Sequence, residues 1–422
     1  MTTPAAGGTR RLASGALTVA VGLTVGGAGT FLMMALSARS LRPTEYAAFA
    51  VWWTMATLVG TSFGFFEAYL ARLIVTEVAA RRTVHAVTGV LTGWALVALA
   101  GLVAALLLAG PWFSSELFAG NLGAAFLLPV FVVLAAAQAL QRGSATGHSR
   151  FSGIAAQLST DGITRAGLVG VLVATGHDSV DTLAVACCLA AAASLFVGNR
   201  LCPEWLARPH VRGSGVSYRP LLYLLIGSAG PLMANNGSVP WLAGTDAVGP
   251  YTLGAFAGAI TLSRLPTQFV SAAFSPLMAQ LAHCVEQDDE VTFRHLRRTA
   301  DIAACALGLL FVAAFAAAGP WVLSVYLGPG YRLGVGTLAT LAAASSVMFV
   351  AVVQQASLAA LDRWGVIAAS WSCGTAAFVL VLLLPVEPLH RATTAPLAAV
   401  GTALVAMVVS RGARFRRPAG AL

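Results

Sequence analysis

The chain contains no lysine and little charge of either sign. Of its 422 residues 10% are charged, and all 25 cations are arginines. A solvated globular surface needs about a quarter charged residues, so a soluble domain is excluded. Cysteine is scarce as well. Cys187, Cys188, Cys202, Cys284, Cys305 and Cys373 show no metal-ligand spacing and read as small core residues. No glycine-rich run is followed by Lys-Ser or Lys-Thr, so no nucleotide-driven mechanism is supported. No catalytic constellation, metal site or cofactor site is legible, and the chain is not read as an enzyme. Ten-residue alternations are missing too, which excludes a transmembrane β-barrel.

What is present is apolar: 58% of residues are hydrophobic and the mean hydropathy is +0.81. Spans of about 20 apolar residues are expected near 13–38, 46–70, 86–109, 122–141, 151–175, 180–199, 221–243, 250–277, 299–318, 333–360, 364–384 and 395–410. The reading is an all-α polytopic membrane protein with about twelve transmembrane helices. The first apolar run exceeds the length of a signal h-region and reads as a retained anchor. A tail over 1–12 and a basic tail over 412–422 flank two six-helix bundles, 13–199 and 221–411. A proline- and arginine-rich linker at 200–220 joins the bundles.

With the N-terminus in the cytoplasm, 19 arginines fall on the inner side and 4 on the outer, the latter being Arg39, Arg42, Arg332 and Arg391. That asymmetry puts both termini inside the plasma membrane. The net charge of +9 is then the topology signal, with anionic headgroups as its partner and no nucleic acid required.

The halves resemble each other. Tyr46 and Tyr251 each open a span. Ala109-Gly110-Pro111-Trp112 and Ala318-Gly319-Pro320-Trp321 each close one, and Gln141 and Gln354 each lie nine residues before an arginine. Six spans per half give both halves one orientation, hence an axis along the membrane normal and a cavity between bundles.

Two arginines, Arg165 and Arg264, lie inside spans, where charge is costly and marks function. Asp161 and Arg165 share a helical face, roughly 15 and 21 Å into the bilayer at 1.5 Å per residue. They form either a neutralised structural pair or a lumen-facing pair that meets substrate or a coupling ion. Arg264 has no acid within a helical turn and precedes Leu265-Pro266, where the helix ladder breaks. It pairs with a distant acid such as Glu67 or Asp161, or faces a wet cavity and attracts an anionic group such as phosphate. Glu67, five residues before Arg72, reads as a bridge at the inner mouth or as a coupling acid. Asp301 reads as a solvated or helix-start charge. Pro231 and Pro240 flank Asn235-Asn236-Gly237, which predicts a broken helix at mid-bilayer. Gly22, Gly26, Gly27 and Gly29 suit close packing or bending.

Arg39-Ser40-Leu41-Arg42-Pro43-Thr44-Glu45-Tyr46, Val248-Gly249-Pro250-Tyr251 and Leu327-Gly328-Pro329-Gly330-Tyr331 resemble segments of Wzx-type polysaccharide flippases. Asn235-Asn236-Gly237 and Arg264-Leu265-Pro266 are similar to actinobacterial members of that group. Gly237-Ser238 departs from relatives with an aspartate there. The resemblance implies the multidrug/oligosaccharidyl-lipid/polysaccharide exporter fold, with cationic residues meeting a lipid-linked sugar pyrophosphate. On this reading Arg264, Arg165, Asn235 and Asn236 bind substrate, while Asp161, Glu67 and Arg72 couple or gate. The expected function is export of an undecaprenyl-diphosphate-linked oligosaccharide for surface polysaccharide, with glycan polymerase and glycosyltransferase partners. The alternatives are a drug or metabolite antiporter and a non-transporting scaffold in a glycan assembly complex.

Overall fold

The computed structural model describes residues 5–64, 66, 67, 69–71, 74, 85–203, 218–245, 247–272 and 274–410. These are helical throughout, with no strand among the described residues. They divide into two compact units, Met1–Leu221 and Leu222–Leu422.

The first unit holds α1 (Ala5–Ser40), α2 (Pro43–Ser62), α3 (His85–Glu116), α4 (Leu122–Gly147), α5 (Phe151–Ala174) and α6 (Val180–Leu201). Its tightest crossing is α1 on α5. A Cβ on Gly29 would sit 2.2 Å from the Gly162 carbonyl oxygen, and one on Gly22 would sit 2.6 Å from the Ala155 Cα. Only glycine lets the two backbones approach this closely. Gly27 has open space around it, so the glycine run serves packing at three positions and not at the fourth.

Helix ends are closed by chemistry the sequence carries. Pro43 occupies the first turn of α2, and the Arg42 N–H donates to the Glu45 carboxylate at 3.1 Å. Asp181, in the first turn of α6, accepts the Ala124 N–H at 2.7 Å and so caps the neighbouring α4. Trp52 donates its indole N–H to the Ala124 carbonyl at 2.8 Å, tying α2 to α4. After a turn at Phe63, helical residues resume and include Glu67 and Tyr69.

The second unit holds α7 (Tyr218–Asn236), α8 (Ser238–Ala243), α9 (Pro250–Ser263), α10 (Leu265–Ala272) and α11 (Phe274–Glu286). After them come α12 (Glu290–Leu327), α13 (Val335–Ala360), α14 (Trp364–Leu382) and α15 (Pro388–Val409). Its core gathers Trp371, Phe378, Met348, Val400 and Met407. Gly374 brings α14 onto α15, where a Cβ would lie 2.6 Å from the Ala399 carbonyl.

Among the described residues, eight helices are long and apolar enough to cross a membrane by length and composition: α1, α3, α4, α6, α12, α13, α14 and α15. The other expected spans are the four that carry polar residues or breaks: α2, α5, α7 with α8, and α9 to α11.

The structure departs from the sequence expectation at several points. Pro111 and Pro320 do not end their helices; α3 runs on to Glu116 and α12 to Leu327, with each proline inside. A proline removes one donor, which a long membrane helix tolerates when neighbouring groups compensate. Trp112 and Trp321 point outward, 55% and 68% exposed, as residues of an aromatic belt do. The seventh span is interrupted only at Gly237, whose backbone stays right-handed and whose N–H donates to Met233 at 2.8 Å. The break there is shallow because each proline deletes a single hydrogen bond. Cys305 and Cys373 are exposed, not core; a thiol is apolar enough for a lipid-facing position. Asp301 lies eleven residues into α12, not at its start, and accepts from the Gln354 amide.

Candidate functional site

In the second unit α9 ends at Ser263, and Arg264 caps it in right-handed geometry. Pro266 cannot donate to the Leu262 carbonyl, and the Arg264 N–H bonds that oxygen instead. The side chain reaches α7. Its Nη1 donates to Asn236 Oδ1 at 2.7 Å, and Asn236 Nδ2 donates to the Leu232 carbonyl at 3.2 Å. Arginine has only donors, so this pairing fixes which end of the amide faces it. Nε and Nη2 are buried and have no partner among the described residues. These two N–H groups lie on one edge of the guanidinium and point in parallel, the edge that grips carboxylate and phosphate oxygens bidentately. Beside it is a small cavity lined by Asn235, Ser263, Arg264, Ser345, Pro396 and Val400.

In the first unit the expected Asp161–Arg165 pair is formed. Arg165 Nη2 donates to Asp161 Oδ2, and the two make a salt bridge along α5. Nη1 donates to Thr30 Oγ1 of α1 at 2.9 Å. The guanidinium carbon stands 4.5 Å from the Trp53 ring centroid, a cation–π contact strengthened by burial. Arg165 is buried, at 4% exposure.

Glu67 is bridged by Arg142 of α4 at 2.9 Å. Gly143 permits this approach, since a Cβ there would sit 2.8 Å from the Glu67 carbonyl. Arg72 lies outside the described residues. Asp161 and Glu67 are thus each bonded to an arginine of their own unit, and Arg264 is held by an amide and not by a carboxylate.

Sequence reading missed Thr30, Trp53 and Arg142, and each is placed by tertiary contact. One signal for Thr30 was available. Thr30 and Asn236 are 206 residues apart, close to the 205 separating Tyr46 from Tyr251. The first helix of each unit therefore presents an acceptor to an intramembrane arginine at matching positions. The arginine comes from a different helix in each unit. The surroundings differ elsewhere: Tyr46 and Tyr251 each lie in the first turn of a helix opened by proline, but Tyr46 is fully buried, while Tyr251 is 49% exposed. Tyr251 instead packs on Tyr331, with ring centroids 5.3 Å apart. Gly330 allows this, because a Cβ there would meet the Tyr251 ring at 2.6 Å. Gly328, at φ 116°, supplies the left-handed turn. Two of the sequence segments that resemble flippases thus meet in the structure. Arg391, half-buried, packs over the Trp241 ring at 4.9 Å.

No protein-family model matches the chain. It is 28% identical over 404 residues to each of two uncharacterized Mycobacterium tuberculosis proteins, one of them Rv1510; the alignments cover 92% of this chain and 88% of the relative. Solved structures similar to it include transporters. An inward-facing multidrug resistance MATE family transporter of the MOP superfamily matches with a TM-score of 0.69 at 13% identity, covering 93% of this chain and 97% of that one. A MATE transporter of Vibrio cholerae matches at 0.62 and 14%, covering 96% and 98%. A MOP superfamily transporter from Pyrococcus furiosus, described as having a binding pocket of reverse polarity that suggests a different function, matches at 0.63 and 13%, covering 93% and 92%. The chain is a multi-pass, all-α membrane protein with the fold of these transporters, whose twelve helices form two bundles.

Proposed function

We propose that the chain exports a lipid-linked, undecaprenyl-diphosphate-type oligosaccharide across the plasma membrane for cell-surface polysaccharide, by alternating access. The observation that carries this reading is the Nε–Nη2 edge of Arg264, buried without a partner while Asn236 holds Nη1. A desolvated donor edge left unmade is costly, and a diphosphate oxygen pair matches it in charge and spacing. Asn235, beside the same cavity, adds an amide suited to sugar hydroxyls. The likeness to flippase segments agrees with an anionic cargo. Both termini are cytoplasmic on this reading, from the arginine asymmetry, and the partners are membrane lipids, a glycan polymerase and glycosyltransferases.

The multidrug resistance transporter among the similar structures favours a second reading, an antiporter of drugs or metabolites. One experiment separates the two. Deleting the gene removes surface glycan and accumulates the lipid-linked intermediate on the inner leaflet if the first reading holds. Intact glycan with new drug sensitivity supports the second and overturns the first. A scaffold role predicts lost glycan that is restored by the Arg264→Ala protein.

A further inference from the structure

An intramembrane carboxylate either pairs with a fixed group or lies on an ion path, because an unpaired negative charge at that depth is not tolerated. Asp161 has a fixed partner. Arg165, one helical turn along α5, bonds its Oδ2 and carries the compensating charge on the same helix.

Both terminal nitrogens of the guanidinium are held, while Nε is buried with no partner among the described residues. Thr30 of α1 receives Nη1 at 2.9 Å, and the Trp53 ring of α2 faces its carbon at 4.5 Å. The α1–α5 crossing leaves no slack beside it. Gly162, next in sequence to Asp161, would place a Cβ 2.5 Å from the Gly26 Cα. Thr30 is free to accept because its own hydroxyl proton goes to the Gly26 carbonyl at 3.2 Å.

The groups around the guanidinium would suit a small monovalent cation equally well. They are one carboxylate oxygen, a hydroxyl oxygen and an aromatic face. Hard cations take oxygen ligands, and ring faces attract cations. Asp161 Oδ1 is buried and has no partner among the described residues, so the carboxylate keeps unused acceptor capacity.

We propose that Arg165 is a tethered counter-cation: it occupies a latent monovalent-cation site made by Asp161, Thr30 and Trp53. Asp161 is thereby closed to exchangeable cations in the wild-type protein. Cation dependence of transport then originates at some other group. This inference is independent of the cargo proposed above, and its test uses no cargo.

The full-length protein is purified in detergent, and its thermal unfolding is followed in sodium, potassium or choline chloride at matched ionic strength. Wild type is expected to unfold at the same Tm in all three. Arg165→Gln is expected to gain a saturable rise in Tm with sodium or potassium over choline, and Asp161→Asn/Arg165→Gln to lose it. A folded Arg165→Gln protein with no cation response overturns the proposal. So does a wild-type response that disappears in the double variant. If Arg165→Gln does not accumulate, the infrared carboxylate band decides, taken as wild type minus the double variant. A band unchanged between sodium and choline supports the tethered cation. A band that moves with the cation overturns it.

Discussion

Asn236 holds Arg264 by one corner of its guanidinium, Oδ1 to Nη1 at 2.7 Å, and leaves the opposite edge empty. The amide serves as a hinge post: it sets the direction of the open edge without neutralising the charge. Asn236→Leu should leave the protein in the membrane and weaken export roughly 10- to 100-fold, as expected for a charged hydrogen bond of about 1.5–3 kcal/mol. Asn236→Asp should be worse, because a carboxylate would neutralise the donor edge. Export assays at matched protein levels check the order; equal activity for the two variants would remove Asn236 from cargo positioning.

Arg264 itself is tested by size and shape of charge. Arg264→Lys should retain part of export and Arg264→Ala very little, since an ammonium is a point donor without the parallel fork. Both proteins should insert at normal levels. Loss of the alanine protein from the membrane would assign Arg264 to structure, and full export would take it out of the mechanism.

The α1–α5 crossing gives a stability prediction. Gly29→Val forces a Cβ to within 2.2 Å of the Gly162 carbonyl, and overpacking of this kind costs about 1–3 kcal/mol. A clear fall in Tm is expected, measured on the purified protein. Gly27→Ala, with open space around it, should leave Tm unchanged and serves as the control.

Glu67 and Arg142 form a partly exposed bridge, with side chains 29% and 21% accessible. A double-mutant cycle on Tm should give a coupling of about 0.5–1 kcal/mol. The charge-swapped pair Glu67→Arg/Arg142→Glu should recover most of it. If Glu67→Gln instead abolishes export without changing Tm, the residue is a coupling acid and not a bridge.

Sidedness follows from the arginine count. Reporter fusions after Gly120, Gly176 and Pro388 should report outside, and fusions after Ser149 and Asp362 inside. One reversed reporter within a half would break the six-span repeat.

Composition and residue pattern alone set the class of protein and the order of its elements. Long apolar runs have one stable solution in lipid, the helix, because backbone groups must be satisfied within the segment. Proline, glycine and arginine punctuate those runs at readable positions. Asp161 and Arg165 were legible as a pair because spacing along one helix fixes contact. Tertiary structure decided everything that depends on a second helix. No local rule links Arg264 to Asn236, Arg142 to Glu67, or Arg165 to Thr30 and Trp53; each pair is brought together by packing between helices. The glycine run of α1 was legible as a close-packing surface. Which glycines meet α5, and that Gly27 does not, is set by the rotation of one helix against another, a quantity no single helix encodes.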